Sequence, residues 1–180
     1  GSFFPIYLIS GFSSGVVTSL NYAQRLNQIP EQLVISQMSS VLGIKLNELN
    51  AKKQYHEINR ILLEVTSSTL FIIVPFTFLF LLYSDKLVEI VYLRGSFDIR
   101  SVKSTALFLK YLGLSIPFIV LNAFYSRVFI ALQKMKLAFY SGLVVNILFL
   151  FMIYLFVKFF GAVGYPIAIA TYLGFSVLIF

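Results

Sequence analysis

Three stretches of this chain run for about twenty residues without a single charge: residues 65–84, 137–157 and 159–180. A helix of about twenty apolar residues crosses the hydrocarbon core of a bilayer. Backbone in lipid must satisfy its own hydrogen bonds, which an α-helix does internally. The rest of the chain belongs to the same regime, because 59% of its 180 residues are hydrophobic, 12% are charged and the mean hydropathy is +0.90. Soluble domains carry about a quarter charged residues, and a chain this short cannot hide such an apolar excess in its own core. The fold class expected is all-α, a polytopic transmembrane helical bundle.

Two more spans complete the pattern. Residues 106–132 are interrupted only by Lys110 near one end and Arg127 near the other, and residues 16–44 form a helix of unusual polarity. The chain, 1–180, thus reads as a single transmembrane lobe, a piece of a larger polytopic protein. Five full spans are expected at approximately 16–44, 61–84, 104–132, 137–157 and 160–180. The end of another lies in residues 3–10, with a turn at 10–14. Alternating crossings put Lys45, Lys52, Lys53, Arg60, Lys134 and Lys136 on one side, and Lys86, Arg94, Arg100, Lys103 and Lys158 on the other. Positive charge accumulates on cytoplasmic loops, which narrowly favours the first side as cytoplasmic. The net charge of +7 is scattered between apolar blocks, as suits a membrane surface and not nucleic acid.

The polar residues of 16–44 are not random. Thr18, Asn21, Arg25, Gln28, Gln32, Ser36, Ser39 and Gly43 follow one another at steps of three or four, one face of an α-helix. A polar stripe of that length cannot face lipid, where each unpaired group costs several kcal/mol. It must face other helices or water. Arg25 lies about ten residues from the turn at Gly15, roughly 15 Å along the axis and near mid-bilayer. Pro30 removes a helix hydrogen bond, so a bend is expected there. A guanidinium fork matches phosphate oxygens, which makes Arg25 an anion-binding candidate lining an aqueous path. The alternative is internal packing, with Arg25 paired to Glu31 or to a carboxylate elsewhere.

Other residues carry weaker signals. Pro75 and Pro117 are expected to kink their spans, and Gly95 to make a turn. Asp98 with Ser96 can cap a helix starting near Ile99. Asn122 and Ser126, one turn apart, either join a cavity or bond a neighbour. Tyr83, Tyr92 and Tyr111 sit where an interfacial aromatic belt is expected. His56 reads as a solvated loop residue. With no cysteine, one histidine and seven acids, no metal-spaced set arises, and neither a nucleotide-binding glycine loop nor a nucleophile elbow occurs. No enzyme is read here, and no cofactor.

The segment "SGVVTSLNYAQRLNQIP" (residues 14–30) resembles the signature of the MurJ/MviN lipid II flippase family, members of the multidrug/oligosaccharidyl-lipid/polysaccharide exporter superfamily. Gly15, Val16, Leu20, Tyr22, Ala23, Arg25, Leu26 and Pro30 carry the match. "HEINRILLEV", "LRGSFD" (residues 93–98), "RVFIALQKMK" (residues 127–136) and "FGAVGYPIAIATYLG" follow in the family's order. The resemblance covers nearly the whole chain, from the end of the family's span seven through span twelve. There are departures: Gln24 stands where the family has an acid, "QMSSVLGIKLNEL" replaces a Gly-rich continuation, and Leu137-Ala138 replaces Thr-Pro.

The resemblance implies a multi-pass transporter of the bacterial cytoplasmic (inner) membrane that serves peptidoglycan biosynthesis. It would flip a lipid-linked, diphosphate-bearing precursor by alternating access, together with the missing N-terminal lobe. Arg25 corresponds to the cavity arginine expected to meet the diphosphate, with Asn21, Gln28, Gln32 and Arg127 as companions. Some members are thought to couple to a cation such as sodium, and Asn146 and Thr171 match positions of that site, although Leu150 replaces a polar residue there. The departures leave two alternatives: an exporter of O-antigen- or capsule-type lipid-linked oligosaccharide, and a non-transporting membrane scaffold paralogue.

Overall fold

The computed structural model describes residues 14–93 and 98–179. The expected span end at 3–10, the turn leading into Ser14, and residues 94–97, with Arg94, Gly95 and Ser96, lie outside the described residues. Helix α1 is Ser14–Pro30 and runs through a π-helical turn, Glu31–Ile35, into α2, Ser36–Ala51. The others are α3 (Tyr55–Tyr92), α4 (Ile99–Gly113), α5 (Ile116–Ala131), α6 (Met135–Phe160) and α7 (Gly164–Ile179), with a 3₁₀ turn at Gly161–Val163 before the last. Among the described residues there is no strand.

The apolar positions dictate how these helices pack. Leu20, Ala23 and Leu26 repeat every three residues on α1 and are buried against α4, while Leu42, Leu46 and Leu49 bury the matching face of α2 against α3 and α5. Ile73, Phe80 and Val88 of α3, Val102, Phe108, Leu109 and Leu112 of α4, and Ile116, Val120 and Phe124 of α5 complete one contiguous core. Helix α7 packs across α4, α5 and α6. Helix α6 lies outermost, with Ser141 and Ile153 as its buried residues.

The helices outrun the expected spans, because charge ends a lipid crossing without ending a helix. The connection 45–60 left by the expected spans shrinks to the three residues between Ala51 and Tyr55, and α3 runs on past Ser84 to Tyr92. Length and apolarity alone pick out Tyr55–Tyr92 and Met135–Ile179 as crossings, and α4 with α5 as a third, bent by 44°. The second stretch has 45 residues, more than twice what one crossing needs. It folds back on itself: Phe149 of α6 meets Tyr172 of α7 with ring centroids 4.4 Å apart. Gly161 allows the reversal with its positive φ of 61°. Gly164 then lies directly on the α6 backbone, where any side chain would run into the Phe156 carbonyl.

Helices α2 and α5 end alike. Lys53 and Gln133 adopt left-handed backbone with φ of 57°. Gln54 N–H donates to Leu49 O at 2.9 Å, and Lys134 N–H to Phe129 O at 2.9 Å. These are Schellman turns built without glycine. They make the connections tight and set Lys52, Lys53, Lys134 and Lys136 at the helix ends.

The two prolines behave differently from each other. Pro75 stays inside α3, and the break in that helix comes at Tyr83 (φ −121°, ψ 16°). Pro117 does kink its span: it cannot donate to the Gly113 carbonyl, α4 ends there, and Pro117 sits in the first turn of α5, where its missing N–H is not needed. The 44° bend sits before it, where the buried Ser115 hydroxyl donates to Leu112 O at 2.6 Å. The capping expectation holds at Asp98, whose carboxylate accepts from Ser101 N–H at 2.8 Å; hydrogen bonding from the Ser101 side chain first, and from that N–H second, pulls its pKa below the usual carboxylate value.

Candidate functional site

The expected stripe is open from Thr18 to Ser36, whereas Ser39 is buried and Gly43 half-buried. Thr18, Asn21, Arg25, Gln28, Gln32 and Ser36 are all exposed, opposite the face that α1 buries. Pro30 closes α1, and a π turn follows, in which Ser36 N–H donates to Glu31 O. The wider turn also explains the stripe's spacing. Gln28, Gln32 and Ser36 follow at two successive steps of four, which stay in line only where a turn holds more residues than an ordinary α-turn. Asn21, Gln28 and Gln32 make no side-chain hydrogen bond to the described residues, so their amides remain available.

Arg25 forms no ion pair among the described residues. The four pairs present join Lys45 and Lys52 to Glu48, Arg60 to Glu57, and Lys86 to Glu89. Glu31, six residues on, sits on another face and is half-buried. The guanidinium carbon lies 6.0 Å from the centre of the Tyr22 ring, one turn toward the helix start. Tyr22 in turn meets Tyr92 from the end of α3, with ring centroids 4.7 Å apart, and the Tyr92 hydroxyl donates to Tyr22 O at 3.4 Å. Tyr92 was expected as a belt residue. Its role beside Arg25 joins residues seventy apart, which no local pattern signals.

Arg127 does not join Arg25. It is half-buried on α5, and its Nε–H donates to Ser39 Oγ at 2.9 Å. Gly43, the last member of the stripe, leaves it room: a Cβ there would stand 3.3 Å from Arg127 Cδ. Ser39 lies fourteen residues past Arg25, on the order of 20 Å along the helix. The two cations therefore mark opposite ends of one polar face and cannot clamp a single phosphate.

The other candidates are engaged locally. Asn146 is exposed on α6 and donates to Gly142 O at 2.8 Å, while the Thr171 hydroxyl donates to Ile167 O at 2.7 Å. Thr171 lines two apolar clefts with Phe175, among residues that include Phe118 on one side and Met152 on the other. Asn122 bonds a neighbour: its side-chain NH₂ donates to Phe118 O and Leu173 O, and its side-chain carbonyl accepts from Ser176 Oγ at 2.6 Å. Gln24 donates to Tyr165 Oη at 3.3 Å and so ties α1 to the start of α7.

Known proteins resemble this chain along its length. A family model described as "Lipid II flippase MurJ" matches residues 2–180. A Borreliella burgdorferi protein titled "Probable lipid II flippase MurJ" is 25% identical over 141 residues, covering 78% of this chain and 28% of the relative. A Treponema pallidum protein of the same title is 25% identical over 125 residues, covering 67% and 24%. The chain thus spans about a quarter of the length of these curated relatives. A solved structure titled "Lipid II flippase MurJ, inward closed conformation" aligns over 99% of this chain and 38% of that one, with a TM-score of 0.87 at 22% identity, a likeness of fold. Since the family model takes in every residue after the first, the chain belongs to the MurJ lipid II flippase family.

Proposed function

We propose that this chain forms one lobe of a multi-pass transporter in the bacterial cytoplasmic membrane. With an N-terminal lobe of the same protein it flips a lipid-linked, diphosphate-bearing cell-wall precursor of the lipid II kind. The observation that carries the reading is Arg25: an exposed guanidinium with no carboxylate partner among the described residues, in line with the amides of Asn21, Gln28 and Gln32, which are likewise unbonded there. An intramembrane cation without a counter-ion is a strong anion receptor, because few other dipoles compete for the ligand. The amides offer hydrogen bonds that sugars and phosphates both accept. The prenyl tail stays in lipid throughout. Rocking of the lobes opens the polar face to each leaflet in turn, the general scheme of secondary transporters.

The test is replacement of Arg25 in the full-length protein. Arg25→Ala is expected to abolish rescue of a flippase-depleted strain at normal membrane abundance, and Arg25→Lys to restore part of it. Full rescue by Arg25→Ala removes Arg25 from the mechanism. The Gln24–Tyr165 contact favours a second reading, in which a lobe that has lost the family's acid carries another lipid-linked oligosaccharide, of O-antigen or capsule type. The lipid-linked sugar that copurifies with the protein decides between the two.

A further inference from the structure

The polar face does not stop at the π turn. It continues along α2 as Ser36, Ser40, Gly43 and Asn47, again at steps of four, three and four. Beside the last three a cleft of about 210 Å³ opens between α2 and α5, lined by Ser40, Gly43, Ile44, Asn47, Arg127 and Ile130. The bond from Arg127 Nε to Ser39 orients the guanidinium. Its two terminal nitrogens have no hydrogen bond or ion pair among the described residues. A half-buried guanidinium, held by one nitrogen and unmatched at the other two, is a fork set for an oxyanion.

The cleft's place in the bundle narrows the ligand. Arg127 and Asn47 each stand one turn from the end of their helix, where the Schellman turns gather Lys52, Lys53, Lys134 and Lys136. Glu48 takes up Lys45 and Lys52, whereas Lys53, Lys134 and Lys136 have no ion pair among the described residues. The field at this end attracts anions. Ile44 and Ile130 on the rim are 73% and 45% exposed, which suits an anion attached to apolar chain better than a free ion. A diphosphate is only a few ångströms across and cannot reach Arg25, so two ligand groups are needed for two arginines.

We propose that the Arg127 cleft is a second anion subsite, separate from that of Arg25, which takes the phosphate of a lipid headgroup at the cation-rich end of the lobe. The use of this subsite in transport rests on the reading of Arg25 above, but its existence does not. Either the transported lipid or a resident anionic phospholipid can supply the phosphate.

The experiment measures binding of a short-chain polyprenyl diphosphate to the full-length protein in neutral detergent. Two equivalents are expected. Arg127→Gln should weaken one of them at least tenfold and leave the other alone, and Arg25→Ala should do the reverse. Ser39→Ala, which keeps the charge but frees Nε, should weaken the Arg127 equivalent several-fold at an unchanged thermal midpoint. That arm, with Arg127→Lys, carries the test if Arg127→Gln misfolds. In nanodiscs of phosphatidylcholine, added phosphatidylglycerol displaces the Arg127 equivalent if the source is a resident lipid and spares it if the source is the transported one. A single equivalent in the unmodified protein, or one equivalent weakened by both arginine substitutions, overturns the proposal. If Arg25→Ala alone proves silent, the transporter role of Arg25 falls and the Arg127 subsite stands.

Discussion

Helices α1 and α6 each leave a long face uncovered by the rest of the lobe, and the two faces have opposite chemistry. On α1 and the π turn after it the uncovered residues include Asn21, Arg25, Gln28 and Gln32, flanked by Ile29 and Leu33, and on α6 they include Leu143, Val144, Ile147, Leu150 and Phe151, with Asn146 among them. Exposure alone therefore says nothing about which solvent a face meets. In the most apolar window of Met135–Ile179 only 6% of the residues are buried, against 22% for Tyr55–Tyr92. Helix α6 tolerates this because lipid is as good a neighbour for its side chains as protein. Helix α1 cannot, because amides and a guanidinium in hydrocarbon cost several kcal/mol each. One face is built for lipid and the other for water or a partner lobe.

The largest effect should come from exchanging these chemistries. Ile147 sits at the middle of α6 and is 59% exposed. Ile147→Arg should cost about 2.5–3.5 kcal/mol of insertion free energy, the usual penalty for arginine at a helix centre. The reverse exchange, Gln28→Leu, should insert as well as the unmodified helix and weaken only ligand binding. A glycosylation-mapping insertion assay reads both. Equal insertion of Ile147→Arg and the unmodified protein would mean that α6 meets water or protein, and the contrast between the two helices would collapse.

This contrast was legible in the sequence on one side and only half legible on the other. The steps of three and four gave the exposed polar face from Thr18 to Ser36, since helical periodicity is a local property, but placed the buried Ser39 on it in α2. The charge-free run 137–157 gave the lipid face of α6 for the same reason. What sequence could not give was long-range: Arg127 reaching Ser39 across 88 residues, Tyr92 stacking on Tyr22 across 70, and Asn122 bridging to Ser176. Arg25 and Arg127 were grouped by motif, and only packing separates them. Helix ends failed differently. The irregular Tyr83 has no local signal and lies in a stretch of α3 where Phe80 packs against Gly113 of α4. Proline, the visible signal, marked the 44° break through Pro117 but not the irregular Tyr83, which lies eight residues past Pro75.

A medium effect should sharpen how α6 is held while offering its face to lipid. Gly164 touches the α6 backbone at Phe156 and Val157, whereas nothing lies within 4 Å of a Cβ built on Gly142. Gly164→Ala must push α7 off α6 and should cost about 1–3 kcal/mol, as overpacking does. Gly142→Ala should leave stability unchanged or raise it by up to about 1 kcal/mol through helix propensity. Thermal midpoints in detergent measure both. Equal effects at the two glycines would mean that α6 is not docked through Gly164.

The smallest effect belongs at the far end of the polar face, where α2 leaves the apolar layer. Glu48 accepts from Lys52 Nζ at 2.6 Å and Lys45 Nζ at 3.0 Å, and these bonds, Lys52's first, lower its pKa to about 2. A carboxyl whose pKa is depressed on folding stabilises the fold fully above its unfolded pKa, about 4.3. That contribution disappears as pH falls from there toward 2. Both lysines and the glutamate are well exposed, so salt screens the interaction and its absolute size is minor. Glu48→Gln should therefore match the unmodified protein near pH 2 and fall slightly below it at pH 6. The gap should open between those values and narrow in high salt. A variant that gains stability over the same window would show that Glu48 is held there at a cost, in competition with an anion for the lysines at that end of the lobe.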